Sequence, residues 1–212
     1  MSHDDFGTET VRDLATTSEY LVTPPNGVAY DLRVHGGYAL FVRSGVEDGG
    51  PVLDGWLWKR PNELVKLVDP GTQKVFDIRT DGTTLVWTQV NAADSKEVAA
   101  GDLWTSPFGT TASALTPKKR RSVPPSTVGL GNYAIGGGHY ALVEGALSTT
   151  QTKLHVYRLS DARHWEVQPP PGLVNSTVLY VDEKEVWYLA RLPNGLNQTI
   201  ARQKIDALGP GD

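Results

Sequence analysis

Short runs of Val, Leu, Tyr, Trp and Thr alternate along this chain with clusters of Gly, Pro, Asp and Asn. Such punctuated apolar runs predict β-strands separated by turns. Helical spacing is nearly absent, and only 11–17 is expected to form a helical turn or two. One run reads Tyr-Ala-Leu-Phe-Val at 38–42, and its counterparts lie at 85–88, 140–143 and 186–189. Each follows a turn: His35-Gly36-Gly37, Asp81-Gly82-Thr83, Gly137-Gly138-His139 and Asp182-Glu183-Lys184. Before each turn stands another apolar run, at 30–34, 75–80, 133–135 and 178–181. Gly-Gly or Asp-Gly between two apolar runs predicts a tight hairpin. A third run contains Leu57, Leu103, Val156 and Ile200, at intervals of 46, 53 and 44 residues. A fourth ends in proline at 67–71, 115–117 and 167–170; the same ending stands at 21–25, and a ragged version closes the chain at 205–211.

A four-stranded unit recurring about every 45–50 residues is the signature of β-propeller blades. The expected fold is all-β, a β-propeller of about four four-stranded blades in a single domain, 1–212. The blades fall near 26–70, 71–117, 128–170 and 174–206. A ring of blades must close or leave strand edges exposed. The strand at 18–23 precedes the first blade, so it is expected to complete the last one, pairing outside 178–204. The alternative is a fragment of a larger propeller. Trp58, Trp87, Trp104 and Trp187 occupy strand positions that would fill the spaces between blades, and Trp56 shares the face of Trp58.

The segment Val75-Phe76-Asp77-Ile78-Arg79-Thr80-Asp81-Gly82-Thr83-Thr84-Leu85-Val86-Trp87-Thr88 resembles the strand–Asp-Gly–strand hairpin of TolB-like and WD-type propellers. Gly101-Asp102-Leu103-Trp104-Thr105-Ser106 with Ala114-Leu115-Thr116-Pro117 is similar to that superfamily's third and fourth strands. The resemblance covers 75–117 best and implies fold together with a binding role. It brings no catalytic residue with it.

Composition narrows the chemistry. With no cysteine there are no disulfides, thiolate nucleophiles or cysteine-held metals. The net charge of −4 argues against a globally basic nucleic-acid binder. No apolar run approaches the roughly 20 residues of a membrane span. The first residues lack the basic and apolar regions of a signal peptide, which leaves a cytoplasmic protein or an exported one with its signal removed.

The candidate site residues are few. His35 and His139 sit at hairpin turns of the first and third units, where facing blades would hold a metal or an anion across the axis; the alternative is two solvated turn residues. His155 is expected at the surface or in packing. No His-Glu-x-x-His, Gly-x-Ser-x-Gly or Gly-Lys-Ser/Thr pattern occurs, so no catalytic residue, metal or cofactor is assigned. Glu47, Asp48, Asp54, Asp94 and Glu97 make the second-to-third-strand loops acidic. Asp31-x-Arg33 and Asp77-x-Arg79 repeat on innermost strands; they would either line a channel and bind an anion or form a structural ion-pair lattice. Lys118, Lys119, Arg120 and Arg121 form the one concentrated charge, expected in the longest connection between blades. The function this pattern favours is a non-catalytic binding or scaffold module presenting rim loops to a protein or other macromolecular partner. The alternatives are a propeller hydrolase or lyase with an axial site, and self-association through an exposed blade edge.

Overall fold

The computed structural model describes residues 8–91, 99–126, 133–144, 152–161, 163–195 and 197–209. Among these, the only helical segments are single 3-10 turns at Ala112–Ala114 and Asp206–Leu208. The strands are β1 (Glu9–Arg12), β2 (Glu19–Val22), β3 (Gly27–His35), β4 (Tyr38–Glu47), β5 (Gly50–Lys59), β6 (Glu63–Val68), β7 (Gln73–Thr80), β8 (Thr84–Asn91) and β9 (Ala99–Pro107). They continue with β10 (Lys118–Ser126), β11 (Tyr133–Gly136), β12 (His139–Glu144), β13 (Lys153–Arg158), β14 (His164–Val167), β15 (Val174–Val181), β16 (Glu185–Arg191) and β17 (Gln198–Lys204). Sheets follow chain order: β1-β2, β3-β4-β5-β6, β7-β8-β9-β10, β11-β12-β13-β14 and β15-β16-β17. By internal packing the chain divides into two compact units, Met1–Ala92 with Ser106–Lys118, and Ala93–Thr105 with Lys119–Asp212.

In the first unit, both faces of β4 are buried, and its partners show why. Ala39 and Phe41 lie opposite Trp58 and Trp56 on one face. Val11 of β1 and Val22 of β2 join that layer in a single apolar cluster. On the other face Leu40 and Val42 lie opposite Leu57 and Gly55. The glycine lets the next sheet approach: a Cβ there would come within 2.8 Å of Ile78. The β1–β2 hairpin therefore covers the β3–β6 sheet, and β7 packs beneath it.

Three expectations are corrected here. The segment 11–17 is no helix; β1 ends at Arg12 and Asp13 Oδ1 accepts from the Ala15 N–H to hold a turn. The strand at 18–23 does not extend the last sheet. Glu19–Val22 pairs with Glu9–Arg12, because that register turns Val11 and Val22 together onto the Trp56 and Trp58 layer. The fourth strand of the β7–β10 sheet is not 115–117. A 3-10 turn takes Ala112–Ala114, and the outer strand is β10, whose prolines a sheet edge tolerates.

The second unit repeats this scheme. Tyr140, Ala141, Leu142 and Val143 of β12 are buried, as are Leu154, His155, Val156 and Tyr157 of β13. The hairpins at 35–38 and 136–139 are two-residue loops in which both glycines have positive φ, 53° and 91° in one, 54° and 72° in the other. Such loops match the twist of the flanking strands. The other two hairpins are four-residue turns tied by an aspartate. Asp81 Oδ1 accepts from the N–H groups of Thr83 and Thr84, and Asp182 Oδ1 from those of Lys184 and Glu185. No helix among the described residues is long and apolar enough to cross a membrane, which says nothing about membrane β-barrels.

Candidate functional site

The repeated Asp-x-Arg pattern lies on the innermost strands β3 and β7 of the first unit. Each carries a bulge next to its aspartate. At the first, Asp31 adopts φ 54°, a left-handed conformation that aspartate tolerates better than most residues. Its carboxylate accepts from Arg33 at 2.6 Å and from Arg79 at 2.6 Å. Arg79 Nε also donates to Asp77 at 3.0 Å. The two copies of the pattern are thus joined to each other across adjacent sheets. Arg79 and Asp77 are buried within this lattice, and Arg33 is its exposed end.

A second charged cluster has no motif behind it. Arg43 is 1% exposed. Its Nε and one terminal nitrogen donate to the two carboxylate oxygens of Asp54 at 2.9 and 2.6 Å. The Pro25 carbonyl at 2.8 Å and Glu47 at 2.6 Å complete its donors. Trp56 Nε1 donates to Asp54, and Lys66 reaches Glu47 at 3.0 Å. Hydrogen bonds from Lys66 and Arg43 hold the Glu47 carboxyl below its ordinary value. The Arg43 guanidinium is raised, chiefly by its bond to Asp54. This cluster was hidden from motif reading because it is a register effect. Counting back from the 47–50 turn would have set Arg43 opposite Asp54, both on one face of the hairpin. Asp54 thus lies in β5, and Asp48 takes the turn with φ 48°. Asp94 and Glu97 lie outside the described residues.

His35 and His139 fall in different units. His35 is exposed at its turn, with its ring against the 80–85 hairpin: a Cβ on Gly82 would come within 2.5 Å of His35 Nε2. His139 is not a solvated turn residue. It is 6% exposed, and its Nδ1 donates to the Gly137 carbonyl at 3.0 Å. Its ring packs beside Trp165, and burial lowers its pKa. His155 is also buried, and its Nδ1 lies 2.5 Å from His164 Nε2. Tyr157 stacks on His164 with ring centres 4.8 Å apart.

The basic run is not a loop. It forms the start of β10, so its side chains alternate between two faces. Arg120 donates to Thr105 Oγ1 at 2.7 Å and to the Ser160 carbonyl at 3.3 Å. Arg121 stacks over Tyr157 at 5.5 Å. These two arginines are half-buried, while Lys118 and Lys119 are exposed, the latter 2.9 Å from Asp102. Of the sequence candidates, the structure joins Arg33 with Arg79 and anchors Arg120 and Arg121 in packing. Among the described residues no group of three or more His, Asp or Glu is arranged to hold a metal ion.

The succession of antiparallel sheets, each opened by a hairpin on its innermost strand, defines a β-propeller fold. A solved structure of a prolyl endopeptidase, from a study of two such enzymes and the role of inter-domain dynamics in their catalysis and specificity, is similar to this chain. The likeness has a TM-score of 0.53 at 12% identity and covers 88% of this chain. This chain spans 29% of that protein's length. No protein-family model matches the chain, and no curated protein matches it.

Proposed function

We propose that this chain is a non-catalytic binding or scaffold module, one domain of TolB-like or WD-type propeller character, that meets an acidic protein partner. The observation that supports this reading is the contrast between its charged groups. Arg43, Asp54, Asp31, Asp77 and Arg79 are engaged with one another, as structural ion pairs are. Lys118 and Lys119 stand exposed, Lys119 with Asp102 at 2.9 Å, on a strand whose next two residues, Arg120 and Arg121, are fixed by packing. Two adjacent exposed cations on a strand edge attract an acidic surface by charge.

Binding of polyglutamate to the full chain tests this. Lys118→Ala with Lys119→Ala should weaken binding several-fold at low salt, and about 0.5 M salt should erase the difference. Equal affinity at low salt would remove the proposal. Turnover of a proline-containing peptide, the substrate class that the neighbour's name suggests, would replace it with the hydrolase reading.

A further inference from the structure

Among the described residues, the last sheet is unlike the three four-stranded sheets before it. β3 to β6, β7 to β10 and β11 to β14 each have four strands, whereas β15-β16-β17 has three. Among the described residues, no strand lies beyond β17. Its counterparts β5 and β13 are largely buried, yet β17 is exposed or half-exposed along its whole length. Ile200 on it is 63% exposed. One face of this sheet is laid out in rows: Tyr180, Trp187 and Arg202 in one, Thr177, Leu189 and Ile200 in the next. Tyr180 is 51% exposed, and Arg202 stacks over Trp187 at 5.6 Å. A strand edge bordered by apolar rows is a template for another strand.

We propose that the occupant is a second copy of this chain: two β17 strands pair antiparallel about a two-fold axis at Ala201, joining two three-stranded sheets into one of six. The sequence of β17, Gln-Thr-Ile-Ala-Arg-Gln-Lys, is self-complementary in this register. Ala201 faces its own copy, Thr199 faces Gln203, Gln198 faces Lys204, and Ile200 faces Arg202. All seven residues are paired and no like charges lie opposite, whereas an axis at Arg202 would set two guanidinium groups face to face. Each row then runs on into the partner, with Ile200 under the aliphatic stem of the partner's Arg202. Two-fold pairing is the commonest form of self-association. An edge this short makes a weak dimer. The inference is independent of the acidic-partner reading, since Lys118 and Lys119 take no part in it.

The absence of cysteine makes the test clean. Opposed residues in an antiparallel pair have Cα atoms about 4.5–5.5 Å apart, within disulfide range. Under mild oxidation the full chain carrying Ala201→Cys should form a covalent dimer many times faster than one carrying Gln203→Cys. Sedimentation of the unmodified chain should show a dimer fraction rising with concentration up to about 0.5 mM. Ile200→Lys, which sets a cation against the partner's Arg202 at a solvent-exposed site, should abolish it. A chain monomeric at every concentration overturns the inference. So does equal cross-linking of the two cysteine variants, or a dimer that Ile200→Lys leaves intact.

Discussion

Arg43 shows how this protein uses charge. A buried guanidinium is tolerable only when its donors are filled, and Asp54, Glu47 and the Pro25 carbonyl fill them. Removing it strips Asp54, itself 1% exposed, of its two-pronged partner and leaves Lys66, 3.3 Å away, to balance the buried carboxylate. Arg43→Ala should therefore cost roughly 3 kcal/mol or more, a fall of about 10 °C in a thermal melt. A melting temperature within about 2 °C of the parent would mean that the cluster is solvated and carries little stability. Sequence reading caught the other lattice, at Asp31, Arg33, Asp77 and Arg79, because it repeats. It missed Arg43 because ladder partners are far apart in sequence and carry no shared motif. His139 was misplaced for a related reason: a residue beside a Gly-Gly turn looks solvated until the neighbouring β15–β16 hairpin is packed against it.

At the scale of elements, the hairpin tips set how closely sheets approach. Gly137 has φ 54°, and a Cβ on it would fall 2.2 Å from the Glu183 backbone nitrogen. Gly138 has φ 72° with nothing within 4 Å. Gly137→Ala bears both backbone strain and a clash with main chain that cannot yield; Gly138→Ala bears the strain alone. Denaturant titration should give Gly137→Ala the larger loss, by at least about 1 kcal/mol. Equal losses would show that the 136–139 tip does not touch the 181–186 hairpin. These turns were legible in the sequence because Gly-Gly and Asp-initiated turns state their own geometry. The outer strand β10 was not. Pro117, Pro124 and Pro125 read as a break, but an edge strand has no neighbour to which every N–H must donate. That same edge position turns the basic run from a loose loop into an ordered ladder.

For the whole molecule, the repeat carried the fold. Four hairpins at matching offsets located β3–β4, β7–β8, β11–β12 and β15–β16, and the third strands followed at the spacing read from Leu57, Leu103, Val156 and Ile200. The place of the N-terminal strand did not follow, because periodicity gives a strand its type but not its partner. Glu19–Val22 is settled by packing: a hairpin with Val11 buries both valines on Trp56 and Trp58. Among the described residues the last sheet has three strands, with β17 at its edge.

The account stands on one β-meander module written four times, with the leading hairpin laid on the first sheet. Cross-strand nuclear Overhauser effects in the labelled full chain test this most directly. They should join Phe41 to Trp56, Ile78 to Trp87, Tyr140 to Tyr157 and Trp187 to Arg202, and should tie Glu9 to Val22. Contacts between residues three and four apart along these segments, or between 19–22 and 198–204, would contradict it.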